Sequence, residues 1–308
     1  MANRWYVYQR ERFPLLAHGA LIAAFSFSTI SYSFLLRGGI GIPDLRALVV
    51  AFATSLLFFL ELRIADEFKD FEEDSRYRPY RPVPRGLVTL RELGVVGALA
   101  AAVQLGLALW LDPRLTIVLL FVWLYLAAMS KEFWIGPWLR AHPITYMLSH
   151  MVIIPMIDFY ATACDWLPAG DRPPSGLWWL VAASYANGLV IEIGRKVRAP
   201  QDEELGVDTY SRLWRMDRAL AVWWGVMLAT AAMAIMAAVQ IDFALPAAAL
   251  LGIALAAAGF LARWMLKHPV DGAGKRIEAM SGVWTILLYL SMGAVPLMWR
   301  WWTESGGS

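Results

Sequence analysis

Carboxylates are concentrated in one short segment of the chain, directly after an apolar stretch. Six of its nine residues are acidic, and the segment reads Asp66-Glu67-Phe68-Lys69-Asp70-Phe71-Glu72-Glu73-Asp74. If the segment is helical, with about 100° per residue, a single face carries four of the acids and Glu72 points away. Those four acids are Asp66, Glu67, Asp70 and Asp74. Their mutual repulsion would be relieved by a bound hard cation or by nearby arginines.

An Arg- and Pro-rich stretch follows these acids. Arg63 precedes them on the same face, and the arginines behind them are Arg76, Arg78, Arg81 and Arg85. Mg²⁺ takes few protein ligands and completes its shell with phosphate oxygens and water. Arginine side chains bind the outer oxygens of a phosphate through paired hydrogen bonds. This combination predicts a magnesium-diphosphate site, and the alternative is a solvated charged loop that only enforces membrane topology.

The composition places these charged segments between membrane spans. Of the 308 residues, 59% are hydrophobic and 17% are charged, whereas a soluble domain has about a quarter charged residues. A span needs about 20 apolar residues, and nine blocks qualify, at 14–36, 45–64, 90–111, 114–134, 143–163, 176–194, 217–240, 243–266 and 277–300. They are continuously apolar rather than alternating. We therefore predict an all-α membrane protein with nine transmembrane helices in a single polytopic domain, residues 1–308.

The positive charges orient these spans. If the N-terminus is cytoplasmic, 22 of the 27 Lys and Arg residues lie in inner segments. Lys and Arg concentrate in cytoplasmic loops, so we predict a cytoplasmic N-terminus and an outside C-terminus. The two longest inner loops, at about 65–89 and 195–216, lie four spans apart on one side. This spacing predicts two pseudo-repeated four-helix units plus one helix.

The remaining polar residues predict no separate site. The formal net charge is only +2, so no bulk field favours nucleic acid as a partner. Cys164 has no second cysteine to pair with, and we expect it to be a buried small residue. The histidines are scattered without metal-ligand spacing, and we expect them to be structural; they are His18, His142, His150 and His268.

The first charged segment resembles the first signature of the UbiA superfamily of intramembrane prenyltransferases. That signature is N-D-x-x-D-x-x-x-D with R-P-x-P-x-G downstream, and the chain has Asp66-Glu67-x-x-Asp70-x-x-x-Asp74 followed by Arg78-Pro79-Tyr80-Arg81-Pro82-Val83-Pro84-Arg85-Gly86. Asp66 replaces the Asn and Glu67 replaces the first Asp. The family has nine transmembrane helices with both acidic signatures on cytoplasmic loops. The resemblance implies a multi-pass protein of the cell inner (cytoplasmic) membrane.

The resemblance also implies the roles of these residues. The metal ligands would be Asp66, Glu67, Asp70, Asp74 and, from the second loop, Asp202. Arg78 and Arg81 would bind the diphosphate. Lys131, at the inner end of the fourth span and after Tyr125, resembles a Lys that the family places against the prenyl diphosphate. Its alternative role is a positively charged anchor at the inner membrane surface.

The second loop departs from the family's second signature, D-x-x-D-x-x-x-D-x-x-x-G-x-x-T. Gly206 and Thr209 align with it and Asp202 is retained, but Arg195 and Arg198 stand at the positions of the two earlier aspartates. Basic residues cannot bind Mg²⁺, although they can neutralise a diphosphate directly.

Two interpretations of this departure stay open. In the first, Glu192 and Asp202 hold a second metal ion. In the second, the charge of that ion is replaced by Arg195, Lys196 and Arg198. We favour charge replacement. Glu192 lies near the inner end of the sixth span, where a carboxylate is costly in lipid and should face the bundle interior.

The implied activity is Mg²⁺-assisted transfer of an isoprenyl group from a polyprenyl diphosphate to a small, aromatic acceptor. The catalytic acids would be Asp70, Asp74, Glu192 and Asp202. The partners would be the isoprenyl diphosphate, the acceptor and membrane lipid. A terpene cyclase on the same scaffold is the nearest alternative, and a non-catalytic membrane transporter is an alternative of another class. The sequence leaves open the acceptor, the prenyl chain length, the number of metal ions and the oligomeric state.

Overall fold

Helices are the only regular secondary structure in the residues that the computed structural model describes, which are 3–204 and 206–305. This confirms the predicted all-α class. The α-helices within that part of the chain are α1 (Arg4–Arg12), α2 (Leu15–Leu36), α3 (Leu45–Lys69), α4 (Phe71–Tyr77), α5 (Leu90–Leu111), α6 (Leu115–Ser130), α7 (Gly136–Ala141), α8 (Pro143–His150), α9 (Ile153–Trp166), α10 (Leu177–Arg195), α11 (Tyr210–Trp214), α12 (Met216–Val239), α13 (Ala244–Lys267), α14 (Ala273–Met292) and α15 (Ala294–Ser305).

Eight helical segments of the described chain are long and apolar enough to cross a membrane. They are α2, α3, α5, α8 with α9, α10, α12, α13, and α14 with α15. The predicted block at 114–134 is shorter in the structure: α6 has 16 residues, because Glu132, Phe133 and Trp134 adopt positive φ angles and end the apolar helix. Sixteen residues cover about 24 Å of the about 30 Å hydrocarbon core. The count of nine spans therefore stays a prediction.

The helices pack as a closed bundle. α3 lies against α2 and α5, α12 lies against α10 and α13, and α14 closes the bundle by contacting both α2 and α10. α9 joins the two halves because it contacts α2, α3, α6 and α10. These contacts fit two groups of helices bridged by α9 and α14, while the predicted repeat and the orientation in the membrane stay predictions.

Polar side chains tie the central helices together. Asp158 of α9 is fully buried and accepts hydrogen bonds from the hydroxyls of Thr29 on α2, at 2.9 Å, and Tyr289 on α14, at 2.7 Å. A polar group away from water is costly unless it is hydrogen-bonded. The network therefore fixes how α2, α9 and α14 are packed.

The segments that were predicted to be inner meet at one end of the bundle, which we call the charged end. Contacts that cross between them are Arg12 with Glu67, Lys69 with Tyr146, Tyr77 with Gly206, and Asp202 with Gly272. At the opposite end Arg37 pairs with Asp165 and Asp171. Both long charged loops therefore belong to a single surface.

Candidate functional site

The acidic segment is not one continuous helix. α3 ends at Lys69, Asp70 has φ −94° and ψ 6°, and α4 begins at Phe71. The steady rotation of about 100° per residue assumed from the sequence is interrupted there. Backbone hydrogen bonds from Asp70 N to Asp66 O, at 2.9 Å, and from Asp74 N to Asp70 O, at 2.8 Å, still cross this interruption, and the shared face of four carboxylates stays a prediction.

Glu67 has its partner on the N-terminal helix α1. Its side chain is buried, and Arg12 of α1 donates a hydrogen bond from Nε to Glu67 Oε1 at 2.5 Å. A buried carboxylate needs such a partner. Glu67 consequently attaches the N-terminal helix to α3.

Asp74 is also buried and lies between two arginines, although its Oδ1 has no hydrogen-bond partner among the described residues. Its carboxylate is 2.9 Å from Arg78 Nη2 and 2.6 Å from Arg81 Nη1. The two arginines predicted to bind diphosphate therefore surround one carboxylate, and this group of three side chains keeps a net positive charge.

Asp66 and Asp70 have the weakest contacts of the predicted metal ligands. The nearest cationic atoms to Asp66 are Arg63 Nη1 at 3.6 Å and Lys69 Nζ at 3.9 Å, both beyond ordinary hydrogen-bond distance. The Asp70 carboxylate makes no ion pair with any residue that the structure describes. Burial raises the pKa of Asp70 to about 6, and the opposing effect of the Lys69 charge is smaller. Asp66 and Asp70 lie one helical turn apart, and the oxygen atoms of both carboxylates lack a close cationic partner among the described residues.

Three side chains that the sequence analysis did not select adjoin these acids. Lys69 Nζ donates a hydrogen bond to the Tyr146 hydroxyl at 2.7 Å and lies 5.3 Å from the centre of the Tyr146 ring. That ring stacks on His150, with centroids 3.9 Å apart and planes 9° from parallel. The only signal in the sequence was the spacing of four residues between Tyr146 and His150, which puts both on one face of α8.

In the second loop the carboxylate of Glu192 is neutralised within the protein. Glu192 is buried, as predicted, and its oxygens lie 2.6 Å from Arg195 Nη2 and 2.9 Å from Lys196 Nζ. Lys196 also lies 5.7 Å from the centre of the Tyr210 ring. Two cations against one carboxylate leave a net positive charge at the end of α10.

Asp202 has a structural partner. Both of its carboxylate oxygens are 3.0 Å from the Gly272 backbone N–H, which lies at the start of α14. The neighbouring Asp271 carboxyl, whose own pKa is raised, and the Gly272 N–H hold the pKa of Asp202 below its usual range. Arg198 contacts the Asp202 carbonyl oxygen at 3.2 Å and Glu204 at 3.1 Å.

The two loops contact each other through Gly206. Its φ is +76°, and an added Cβ would lie 2.7 Å from the ring of Tyr77, at the end of α4. Only glycine adopts that backbone angle without strain while leaving room for the ring.

A sequence profile of the UbiA prenyltransferase family matches residues 24–281. The chain belongs to the UbiA prenyltransferase family. Comparison with curated protein sequences found no significant match.

Solved structures have the same fold. A UbiA homolog from Aeropyrum pernix K1, in its apo form, gives a TM-score of 0.67 at 14% identity, over 89% of this chain and 96% of that chain. Digeranylgeranylglyceryl phosphate synthase gives a TM-score of 0.62 at 13% identity, over 96% of this chain and 99% of that chain. A UbiA homolog from Archaeoglobus fulgidus bound to DMAPP and Mg²⁺ gives a TM-score of 0.51 at 13% identity, over 90% of this chain and 98% of that chain.

The predicted metal ligands of this UbiA member differ in their contacts with the rest of the protein. Among the described residues, no three His, Cys, Asp or Glu side chains are grouped to hold a metal ion. Of the five predicted ligands, Glu67, Asp74 and Asp202 have protein partners, and their role as metal ligands stays a prediction. Mg²⁺ commonly takes one or two carboxylates plus phosphate oxygens. Asp66 and Asp70 fit that requirement.

Lys131 lies apart from these contacts. It caps the C-terminal end of α6 and is exposed, and the described structure gives it no ion pair. Tyr125 donates a hydrogen bond to the Ser149 carbonyl at 2.5 Å and contacts Phe133 edge to face. The role that the UbiA resemblance implies for Lys131 stays a prediction.

Proposed function

We propose that this protein is an intramembrane prenyltransferase that moves an isoprenyl group from a polyprenyl diphosphate to a small, aromatic acceptor. The observation that carries the proposal is the pair Asp66 and Asp70, which has no close ion pair yet lies beside the cationic ends of α3 and α10. Related proteins of this fold have been solved with DMAPP or GPP together with Mg²⁺. We place the reaction at the cytoplasmic surface of the cell inner membrane.

The two loops have different tasks in this proposal. Asp66 and Asp70 would hold Mg²⁺, which supplies positive charge to the departing diphosphate. Arg195 and Lys196, at the end of α10, would bind the same diphosphate. Together they carry one positive charge more than Glu192 neutralises. Such preorganised charges stabilise a leaving group without reorganising during the reaction.

Lys69 and Arg78 extend this positive field on the first loop. Lys69 is held by the Tyr146 hydroxyl, and Arg78 is held with Arg81 around Asp74. Orienting each cation before the substrate arrives reduces the entropy lost on binding. Asp74 is therefore a positioning residue in this proposal.

The isoprenyl chain needs a dry surface. An apolar cavity of about 370 Å³ lies between α1, α3 and α5 and is lined by Trp5, Tyr8, Phe13, Leu60, Leu93 and Val96 among others. Burial of a hydrocarbon chain there would keep that chain out of water. Aromatic faces in the lining could also stabilise a carbocation.

Incubation of the purified protein with geranyl diphosphate and Mg²⁺, with and without candidate acceptors, tests the proposal. We expect diphosphate release and a prenylated acceptor, both abolished by EDTA. A cyclic hydrocarbon formed without acceptor would replace the transferase by a terpene cyclase. A transporter would release no diphosphate and would be insensitive to Asp70→Ala.

A further inference from the structure

The hydrogen bonds of His150 determine which of its ring nitrogens carries a proton. Nδ1 lies 2.8 Å from the carbonyl oxygen of Tyr146. A carbonyl oxygen only accepts hydrogen bonds, so Nδ1 must be the donor. The Ser149 hydroxyl, 3.3 Å from Nδ1, lies 3.0 Å from the same carbonyl and donates to it.

In the neutral ring, Nε2 is then left with a free lone pair. His150 is 6% exposed, and Nε2 is buried with no hydrogen-bond partner among the described groups. A buried acceptor without a donor is costly and needs an explanation. A substrate that brings its own donor would supply one.

The other three histidines show which of these features is unusual. His142 has Nδ1 2.8 Å from the Trp138 carbonyl and stacks on the Trp138 ring at 4.3 Å. His18 and His268 contact the carbonyls four residues earlier in the same way. The contact of Nδ1 with the carbonyl oxygen four residues earlier is therefore common to all four histidines. Burial of the opposite nitrogen separates His150 from them, since His142 and His268 are exposed and His18 is partly exposed.

The position of His150 links it to the charged loops. Its ring stacks on Tyr146, which holds Lys69. The charged side chains that act on it are Lys69, Asp66 and Glu192. His150 is consequently a buried imidazole close to both charged loops.

We propose that the acceptor carries a hydroxyl group and that His150 Nε2 takes its proton during prenyl transfer. This inference rests on the proposed function. The O–H bond breaks with its proton going to Nε2, and an electron pair on oxygen forms the bond to C1 of the isoprenyl chain. Where a ring carbon forms that bond instead, the same carbon then loses its C–H proton to water and the oxygen regains a proton, which restores the aromatic ring. The C1–O bond to diphosphate breaks with its electrons leaving on diphosphate. The proton then passes from imidazolium to water.

The test compares two substitutions in the full-length protein. His150→Gln keeps a hydrogen-bonding group but removes the imidazole, and His142→Gln, at the N-cap of α8, is the control. Turnover is measured with geranyl diphosphate, with 1-naphthol and 4-hydroxybenzoate as hydroxyl acceptors and their methyl ethers as matched probes. General-base catalysis is typically worth about 10²–10⁴-fold. We expect a loss of at least about 100-fold in kcat for His150→Gln, with an unchanged KM for geranyl diphosphate, and a near-normal His142→Gln.

Two further readouts separate a proton acceptor from a structural side chain. Imidazole should restore turnover to His150→Ala, because it supplies the missing base, whereas a packing defect would not respond. The wild-type enzyme should prenylate the hydroxyl acceptors and not their methyl ethers. Normal turnover in His150→Gln, or equal use of the ethers, would overturn the inference.

Nitrogen-15 NMR of the histidine rings decides the point independently of any acceptor. We expect His150, assigned by its disappearance in His150→Gln, to have a protonated Nδ1 and an unprotonated Nε2. A protonated Nε2 at neutral pH would overturn the inference even if prenyl transfer is confirmed. If none of the acceptors is prenylated while diphosphate is still released, the transferase proposal fails, and an unprotonated Nε2 would still support a basic site.

Discussion

The two charged loops differ in what their carboxylates contact. In the first loop, Asp66 and Asp70 keep oxygen atoms without close ion pairs. In the second loop, Glu192 is paired with two cations and Asp202 accepts a backbone N–H. One loop is therefore suited to accept a cation and the other to present positive charge. This contrast gives a physical reason for basic residues at positions where the family's second signature has aspartates.

The largest effect should come from Asp70→Asn. The amide keeps the shape of the side chain but removes the charge that a hard cation requires. We expect turnover to fall about 1000-fold, equivalent to about 4 kcal/mol of transition-state stabilisation. Diphosphate release from geranyl diphosphate at saturating Mg²⁺ measures it.

Glu72→Gln is the control for this substitution. Glu72 lies in the same acidic segment but is exposed and was predicted to point away from the other acids. Its removal should leave turnover within about twofold, since isolated surface charges contribute little. Equal losses in both variants would mean that the segment acts only through its total charge, which would remove the distinction between Asp70 and the rest of the loop.

Asp74→Ala should also reduce turnover strongly, but through positioning. The substitution releases Arg78 and Arg81, which are 14% and 21% exposed, from a carboxylate that is 2% exposed. Breaking a buried ion pair typically costs about 3 kcal/mol of folding stability. Asp74→Ala should therefore lower the thermal unfolding temperature, unlike Asp70→Asn. An unchanged unfolding temperature would place Asp74 beside Asp70 as a direct ligand.

Some of this organisation could be predicted from the sequence, because it depends on composition and local spacing. Apolar blocks of about 20 residues located the helices, and the motif with Asp70, Asp74 and the following arginines located the first loop. The burial of Glu192 was predictable because an isolated carboxylate is costly in lipid.

Other features depend on contacts between distant residues. Arg12 meets Glu67 across 55 positions, and Gly272 meets Asp202 across 70. Neither pairing leaves a local pattern, so both acids were predicted as metal ligands. The end of α3 at Lys69 also interrupts the continuous helix that was assumed when the four acids were predicted to share a face. His150 was expected to be structural, since its spacing shows no ligand motif and its burial is a tertiary property.

Arg198→Asp tests the charge-replacement interpretation of the second loop. Removing this cation and adding a carboxylate should make the reaction more dependent on Mg²⁺. We expect turnover at low Mg²⁺ to fall about tenfold, the effect of about 1.4 kcal/mol, and to recover as Mg²⁺ is raised. Arg212→Asp changes charge equally at an exposed position nearby and should leave the titration curve in place. An unchanged curve for Arg198→Asp would remove our preference for charge replacement.

The smallest effect should come from Asp202→Asn. The Asp202 carboxylate accepts the Gly272 N–H at the start of α14, and loss of such a contact costs about 1 kcal/mol or less. The contacts that lower the pKa of Asp202 stabilise its charged form in the folded protein. Their contribution to folding stability is therefore present above the pKa of the unfolded chain, about 4, and is lost as pH falls through the lower pKa of the folded protein. Wild type and variant should therefore differ slightly at pH 7 and converge in acid. The Mg²⁺ titration should not move; a tenfold shift would make Asp202 a metal ligand and end the contrast between the two loops.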